Sequence, residues 1–347
     1  MIPRIALTLG DVAGIGPEIV ARAISDNRLR QCCRPIVVGH PVVFQRALQL
    51  IGASVPIVTV ESLDQIDWTS SAVPCWNPSD VDAQSIPVGL IDPRAGHAAF
   101  DYLVASARAA LQGQLEAITT APLNKAALHA AGINFPGHTE ILASECGVRE
   151  FAMMLYLPPG EPLRGPFGLG VAHVTLHTSI RSVPGLLSTQ GILETIQLVD
   201  GFLKRIGCSS PRVGVCALNP HGGEGGLFGD EEATLIVPAV ETAQRDGIDA
   251  FGPVPADALL RRAVHGEFDG VAAMYHDQGH IALKLIGFER AVNVTLGLPI
   301  VRTSPSHGTA FDIAWQGTAR AEGFLEAVRT AARLCATDSA EGTHSSN

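Results

Sequence analysis

The sequence is short of basic clusters and aromatic residues, and each shortage excludes a class of protein. It has 24 Lys+Arg against 34 Asp+Glu, a net charge of −10, and no run of basic residues. Contacts to nucleic-acid phosphates need clustered cations. Aromatic residues amount to 5% of the chain, too few for the stacking platforms of single-strand binders. We therefore expect no nucleic-acid partner.

Long apolar runs and paired cysteines are also lacking. No apolar stretch reaches the roughly 18 residues of a membrane span, and Asp11 interrupts the apolar start too early for a signal peptide. The seven cysteines form an odd set without C-x-x-C spacing, which is typical of reduced cytosolic thiols. Hydrophobic residues make up 46% of the chain, enough for a sizeable core. We expect a globular, cytoplasmic protein with no membrane partner.

Apolar runs alternate with amphipathic stretches along all 347 residues. Residues 4–9 and 117–120 have the apolar pattern of buried strands, and residues 94–111 are predicted to form a helix. The runs at 151–157 and 168–176 predict two paired strands around a Pro-Gly loop. This alternation predicts an α/β fold with a mainly parallel sheet covered by helices, and the length suits two domains.

Two polar segments follow apolar runs in the first half. Gly10–Glu18 is rich in glycine but does not match G-x-G-x-x-G, so a plain strand-to-helix turn explains it as well as a ligand site does. His138 and Thr139 follow a Pro-Gly turn. Thr139 is either a helix-capping hydroxyl or a substrate contact, and the residues alone leave both open.

Three histidines follow apolar strand patterns in the second half, namely His177, His221 and His276. Each by itself is better explained by a structural role. Parallel strands bring their carboxyl ends to one edge of a sheet, and three neutral imidazoles suit Zn²⁺ while leaving positions open for substrate. Together they predict a metal site.

Two cations, Lys284 and Arg302, lie in apolar sequence, where a charge is costly unless it meets an anion. The anion is either an internal carboxylate or a bound carboxylate or phosphate. The segment Asn219–Gly226 is glycine-dense enough for its backbone to approach a ligand closely.

Taken together, these segments resemble the 4-hydroxythreonine-4-phosphate dehydrogenase family of vitamin B6 synthesis over roughly residues 4 to 335. The resemblance rests on motifs in matching order: Gly10–Glu18, Pro136–Glu140, Leu218–Gly226, Tyr275–Gly279 and Asn293–Thr303. The family is related to isocitrate and isopropylmalate dehydrogenases. Several positions depart from the family pattern: Val12 stands where proline is usual, Gly222 where alanine is usual and Trp315 where glycine is usual, and the segment Leu176–Arg181 replaces the usual Thr-His-Leu-Pro-Leu.

The resemblance implies a homodimer of subunits with two α/β/α domains and an active site in the interdomain cleft. The first domain would span residues 1–135 with 305–336 and carry the cofactor loop. The second would span 136–304, with the metal ligands and the dimer interface. A polar tail at 337–347 is expected to be mobile.

The resemblance also assigns site residues. His177, His221 and His276 match metal ligands, with His276 reaching in from the partner subunit. The matching substrate contacts are His138, Thr139, Lys284, Asn293 and Arg302. The matching cofactor segment, which holds the adenosine of NAD or NADP, is His307, Gly308, Thr309 and Ala310. One divalent ion per site is implied, with Zn²⁺ preferred over Mg²⁺, Mn²⁺ or Co²⁺.

These parts predict a metal-assisted, NAD-dependent oxidation and decarboxylation of a phosphorylated 3-hydroxy acid. Candidates are 4-hydroxy-L-threonine 4-phosphate and D-threonate or D-erythronate 4-phosphate. Lys284 and Asp277 are candidates for the base that takes the hydroxyl proton. A dehydrogenase of the terephthalate cis-dihydrodiol dicarboxylate is an alternative within the family. A metal-dependent hydrolase or aldolase, or a non-catalytic binding protein, is an alternative from another class.

Overall fold

The first strand, Arg4–Thr8, is buried from Ile5 to Thr8 on both of its faces. Burial on both faces is typical of a central strand in a parallel sheet covered by helices. The strand pairs in parallel with Arg34–Val38 on one side and with Ala117–Thr120 on the other. The apolar run at the start of the sequence therefore forms the centre of a sheet.

This computed structural model describes residues 2–149 and 151–341, and side chains up to residue 336. Its strands are β1 (Arg4–Thr8), β2 (Arg34–Val38), β3 (Ile57–Val60), β4 (Val73–Trp76), β5 (Ala117–Thr120), β6 (Ala152–Leu157), β7 (Leu169–Thr175), β8 (Arg212–Cys216), β9 (Asp249–Val254), β10 (Gly270–Tyr275), β11 (Val292–Leu296) and β12 (Val301–Pro305). Its α-helices are α1 (Gly16–Ser25), α2 (Leu29–Cys32), α3 (Pro41–Leu50), α4 (Pro93–Leu111), α5 (Lys125–Ala130), α6 (His138–Cys146), α7 (Val183–Leu186), α8 (Thr189–Arg205), α9 (Val237–Arg245), α10 (Ala256–Val264), α11 (His276–Gly287) and α12 (Glu322–Glu341).

The chain divides into two compact units, and the first contains Met1–Glu150 with Leu298–Asn347. Its strands lie in the order β3-β4-β2-β1-β5-β12, and the pairs are parallel. After β1 the chain continues to β2, which lies on one side of β1, and it later returns to form β5 on the other side of β1. In parallel sheets such a reversal leaves a crevice at the carboxyl ends of the strands, where ligands bind.

The second unit contains Phe151–Gly297. Its strands follow the order β11-β6-β7-β10-β8-β9. The pairs β7–β10, β10–β8 and β8–β9 are parallel, whereas β6 pairs antiparallel with both β7 and β11. Helices α8 and α11 pack on this sheet. The second unit is therefore also an α/β structure, in which helices pack on a sheet around a separate core.

The predicted α/β fold with mainly parallel strands is confirmed. The paired strands predicted at 151–157 and 168–176 are β6 and β7, which the structure shows to be antiparallel. Ser188 caps α8 by accepting a hydrogen bond from the Gly191 amide. Several elements lacked a sequence signal strong enough to predict them, among them β4, α10 and α11.

The borders of the units differ from those of the predicted domains. Helix α6, expected in the second domain, belongs to the first unit, where it packs on α4. Helix α12 extends to Glu341 and so includes the start of the predicted tail at 337–347, of which residues 342–347 lie outside the described residues. Among the described helices, none is long and apolar enough to cross a membrane.

Candidate functional site

The three candidate metal-binding histidines follow three neighbouring parallel strands. His177 comes two residues after β7, His276 is the first residue of α11 directly after β10, and His221 lies in the loop after β8. Because β7 and β8 flank β10 with parallel pairing, the three strands end at the same edge of the sheet. The strands that precede the three histidines therefore end at one edge of the sheet, as the sequence pattern predicted.

His177 and His276 lie close together within one chain. Their ring centroids are 6.2 Å apart, and both residues line a cavity of about 440 Å³ formed by the segments Leu176–Ile180 and Tyr275–Asp277. Nδ1 of His276 is 2.7 Å from Oδ1 of Asp277. A carboxylate only accepts, so Nδ1 carries a proton, and in the neutral ring Nε2 then has the lone pair, the arrangement found behind many metal-bound histidines.

His221 lies in a loop of unusual backbone conformation. The residues from His221 to Gly225 all have positive φ angles, including 55° at His221 and 46° at Glu224. Left-handed conformations cost L-residues roughly 1–2 kcal/mol each, so the surrounding structure must hold the loop. Glu232 does so, since its carboxylate accepts from the backbone amides of Leu218 and Asn219 at 2.9 and 2.8 Å.

The carboxylate of Glu232 is buried and charged. Burial raises its pKa, but hydrogen bonds from the Asn219 side chain and the backbone outweigh burial and leave the pKa below its usual value. Gly223 lies against this carboxylate, since a Cβ there would come within 2.7 Å of Glu232 Oε2. Glu232 was not recognised in the sequence, although it follows the glycine-rich segment closely.

Within residues 2–149 and 151–341, no three histidine, cysteine, aspartate or glutamate side chains form a group able to hold one metal ion. His177 and His276 are near neighbours, whereas His221 is not part of such a group. The ligand set predicted for one site is thus not assembled within a single described chain.

Two further histidines, His173 and His280, lie buried beside His276. His276 stacks on His280 with a centroid distance of 3.8 Å, and Nδ1 of His280 lies 3.1 Å from Nε2 of His173. Burial lowers the pKa of His173 to about 4 and holds the pKa of His280 far below its usual value. The sequence pattern did not reveal His173 and His280 as a pair. The spacing of His276 and His280, however, places both of these rings on one helix face.

The other candidates of the second unit lie near the same helix and on β11. Lys284 is one turn beyond His280, and its Nζ is 5.8 Å from the centre of the Phe288 ring. The Asp277 side chain is 65% exposed. Asn293 lies on β11, and its Oδ1 is buried without a hydrogen-bond partner among the described atoms. A buried acceptor of this kind can take a hydrogen bond from a ligand.

In the first unit, the structure brings His138 and Arg302 together. Arg302 is 3% exposed, and its Nη2 donates to Thr120 Oγ1 at 2.8 Å. Burial lowers the pKa of Arg302 to about 10, while the negative charge of Glu140 acts in the opposite direction. Burial, the positive charge of Arg302 and that of Lys125 together hold the pKa of His138 well below its usual value.

The alternative of Thr139 as a helix cap is wrong. Helix α6 begins at His138, and its N-cap is Gly137, which makes no side-chain capping bond. Thr139 is instead the second residue of the helix, next to His138, so its hydroxyl belongs to the first turn. The backbone of Gly137 is extended, with a φ of 175° and a ψ of −166°, and the helix begins at the next residue.

Asp11 is a buried carboxyl in the segment that follows β1. Its Oδ1 accepts from the Ala13 amide at 2.9 Å, and its Oδ2 has no hydrogen-bond partner in the described part of the chain. Burial raises its pKa to about 6, and the nearby charge of Asp92 adds to the rise. Asp11 was part of a recognised motif but was not assigned a site role.

The segment predicted to hold the cofactor packs on the glycine-rich turn after β1. The Ile15 amide donates to the Thr309 carbonyl at 3.0 Å, and a Cβ on Gly14 would come within 2.8 Å of that oxygen. His307 Nδ1 is 3.1 Å from the Gly308 carbonyl, so Nδ1 carries the proton. His307 Nε2 is a buried acceptor without a partner among the described residues, and burial lowers the pKa of this ring.

Comparison with known proteins identifies the family. The family model for the pyridoxal phosphate biosynthetic protein PdxA matches residues 31–331. The 4-hydroxythreonine-4-phosphate dehydrogenase of Geobacter metallireducens is 44% identical over 335 residues, covering 96% of this chain and 95% of the relative. The D-threonate 4-phosphate dehydrogenase of Salmonella typhimurium is 41% identical over 332 residues, covering 95% and 98%.

Solved structures agree with these relatives. The 4-hydroxythreonine-4-phosphate dehydrogenase from Burkholderia phymatum is 41% identical, with a TM-score of 0.81 over 96% of this chain and 98% of that chain. A terephthalate 1,2-cis-dihydrodiol dehydrogenase from Burkholderia xenovorans is 30% identical, with a TM-score of 0.66 over 95% and 98%. These relatives are all dehydrogenases, which supports an oxidoreductase activity here. The chain belongs to the PdxA family of pyridoxal phosphate biosynthetic proteins.

Proposed function

We propose that this protein is a metal-assisted, NAD-dependent dehydrogenase that oxidises and decarboxylates a phosphorylated 3-hydroxy acid. The proposed substrates are 4-hydroxy-L-threonine 4-phosphate and D-threonate or D-erythronate 4-phosphate. The observation that carries the proposal is the pair His177 and His276 at one cavity, with Asp277 accepting from Nδ1 of His276. The named relatives support the substrate class.

The donor chemistry at this edge of the sheet fits a divalent ion. His177 and His276 offer imidazole nitrogens, and the proton on His276 Nδ1 leaves Nε2 free to bind. His221, after the neighbouring strand, is the third proposed ligand, and in a shared site one of the three would come from the partner subunit. A divalent ion held there supplies Lewis-acid polarisation of the substrate hydroxyl.

The segment from His307 to Ala310 fits the adenosine end of NAD. His307 Nε2 is a buried acceptor that lacks a partner among the described groups, so a donor of the cofactor would satisfy it. A Cβ at Gly308 would meet open space, which leaves room beside the histidine. NAD or NADP held there supplies the hydride acceptor.

The remaining steps belong to residues of this chain. Asp277 or Lys284 takes the proton of the substrate hydroxyl, and Lys284 then offsets the negative charge that develops as CO₂ leaves. Arg302, with its planar donor group, binds one anionic end of the substrate together with His138 and Thr139. Asn293 adds a buried amide whose Oδ1 accepts from the substrate.

We propose a homodimer that forms through the second unit. Helix α11 and the residue after it expose an apolar stripe made of Ile281, Leu285 and Phe288, which are 57%, 83% and 49% exposed. Contiguous exposed apolar side chains of this size mark protein interaction surfaces. The stripe lies on the helix that begins with His276, so an interface there would bring a partner subunit close to the metal-binding edge.

The test is a spectrophotometric assay of NADH formation with a panel of substrates, with and without a chelator. We expect turnover of one or more of the 4-phosphates, loss of activity with the chelator, recovery with Zn²⁺, and release of CO₂. Turnover of the cis-dihydrodiol dicarboxylate alone would favour the alternative suggested by the Burkholderia xenovorans structure. NADH formation that survives complete metal removal would contradict the metal role.

A further inference from the structure

Two buried histidines lie next to His276 without belonging to the predicted ligand set. His173 on β7 is 2% exposed and His280 on α11 is 6% exposed. Burying a polar group costs about 1–3 kcal/mol unless it is hydrogen-bonded, and a leucine would fill the same space without that cost. The hydrogen bonds of these two rings are therefore the feature to explain.

The hydrogen bonds determine where the protons are. The Met153 carbonyl can only accept, so His173 Nδ1, 3.3 Å away, donates to it. A neutral His173 ring then has an unprotonated Nε2, which accepts from His280 Nδ1 at 3.1 Å. The chain from Met153 to His280 thus fixes the tautomer and the ring plane of His280.

His276 is held against this fixed ring. The His276 and His280 rings stack with a centroid distance of 3.8 Å and an angle of 14° between their planes. Asp277 accepts from His276 Nδ1 at 2.7 Å along the ring edge. One face and one edge of the His276 ring are therefore restrained, and Nε2 is the nitrogen left to bind a ligand.

Gly279 gives His173 the room it needs. A Cβ on Gly279 would lie 2.6 Å from His173 Nε2 and 2.5 Å from Val171 Cγ1. Even alanine would therefore push the His173 ring out of line with His280. The glycine in the Tyr275–Gly279 motif is thus required by a contact beneath the helix.

We propose that His173 and His280 are positioning residues that hold the ring plane of His276, so that its Nδ1 stays within reach of Asp277 and its Nε2 faces a bound ligand. The proposal deepens the metal role proposed above for His276, and it rests on that role only for the identity of the ligand. If the two residues merely filled space, leucine could replace them without any change at His276.

The first experiment needs no metal. The protein is labelled with ¹⁵N-histidine, and the His276 ring resonances are assigned with His276→Ala. In the wild type we expect a single Nδ1-protonated tautomer at His276. In His280→Leu and His173→Leu the His276 ring can turn away from Asp277, so we expect a mixture of tautomers. His173→Gln can still donate to Met153 and accept from His280, so it should retain the wild-type pattern.

His265→Leu is the matched control, because His265 is an exposed histidine of the same unit whose Nδ1 contacts its own helix at Arg261. It should leave His276 unchanged. Thermal unfolding checks that each variant folds, and if His173→Leu does not fold, His280→Leu decides alone. An unchanged His276 tautomer in His280→Leu overturns the proposal.

The second experiment measures affinity for Zn²⁺ alone by calorimetry and the absorption spectrum of bound Co²⁺. Loss of residues behind a metal ligand commonly weakens binding about 10- to 100-fold, so we expect that range for His280→Leu and less than tenfold for His173→Gln. Equal affinity in wild type and His280→Leu overturns the proposal. If the wild type binds no Zn²⁺ but His280→Leu still shows the tautomer change, the metal role is refuted and the positioning role is supported.

Discussion

Nε1 of Trp315 donates a hydrogen bond to the carbonyl oxygen of Val12 at 2.9 Å, and this bond joins two of the residues that depart from the family pattern. Trp315 has a φ of 58°, in the left-handed region that favours glycine. The guanidinium group of Arg46 lies 4.4 Å over the indole ring. A hydrogen bond and a cation–π contact therefore offset a backbone conformation that is unfavourable for tryptophan.

This balance predicts an unusual order of stability among Trp315 variants. Trp315→Gly should be more stable than Trp315→Ala by about 1 kcal/mol, because only glycine relieves the positive φ. Trp315→Phe should lose about 1 kcal/mol relative to wild type, since Val12 loses its donor. Urea unfolding measures all three, and an alanine variant as stable as the glycine variant would contradict the strain.

Asp11 should make stability depend on pH. Burial raises its pKa from 3.8 to about 6, so between these values the folded state binds more protons than the unfolded state. Its contribution to stability is therefore present at low pH and is lost as the pH rises through about 6. Asp11→Asn, which keeps the acceptor for the Ala13 amide, should be more stable than wild type at pH 7 by an amount on the order of 3 kcal/mol.

The measurement compares urea unfolding of wild type and Asp11→Asn at about pH 3 and pH 7, on either side of the pKa range. The stabilising effect should nearly vanish at the lower pH. Asp26 is a control of opposite sign, because its hydrogen bond with Arg28 lowers its pKa to about 2. Asp26→Asn should not stabilise the protein at neutral pH. A constant difference between wild type and Asp11→Asn at both pH values would show that the pKa of Asp11 is not raised in the folded state.

Glu232 should determine the order of the loop that carries His221. In Glu232→Gln an amide NH₂ would face the Asn219 Nδ2 donor, now 3.0 Å from Glu232 Oε2. We expect a loss of about 1–3 kcal/mol and faster proteolysis within residues 220–229. Glu231→Gln is the matched control, because Glu231 contacts the same Nδ2 but is less buried. Equal effects of the two variants would contradict the anchoring role.

Arg302 should act mainly on substrate binding. A lysine there cannot both donate to Thr120 and bind an anion with two parallel hydrogen bonds. Charged hydrogen bonds contribute about 1.5–3 kcal/mol, so Arg302→Lys should lower kcat/KM about 10- to 100-fold, chiefly through KM. Thr120→Val removes the supporting hydroxyl and should have a smaller effect. An unchanged KM for the 4-phosphates would exclude Arg302 as a substrate contact.

Mixing of inactive variants tests whether the site is shared. If His276 serves the partner subunit, equal amounts of His177→Ala and His276→Ala chains should regain about one quarter of wild-type activity, because half the dimers then hold one intact site of two. Within one chain the two rings are 6.2 Å apart, so a site built from one subunit is the competing outcome. Mixed dimers without activity would show that His177 and His276 act from the same subunit.

Local patterns were sufficient to predict much of the fold. Strand β1, helix α4 and the β6–β7 pair follow from apolar spacing, because which face of an element is buried depends on residues a few positions apart. The rule that parallel strands end at one edge extended this reasoning to His177 and His276. Motif resemblance then identified the family, which the comparisons confirm.

Other features depend on residues far apart in the chain. His173 and His280 are 107 positions apart, and Arg302 and Thr120 are 182 apart. Their contacts arise only when strand order and register place them together, which no local spacing encodes. The pKa of Asp11 and the tautomer of His276 likewise depend on burial and neighbouring groups supplied by several elements. Tertiary structure therefore decided the electrostatics of the site, since desolvation and hydrogen-bond partners exist only in the assembled fold.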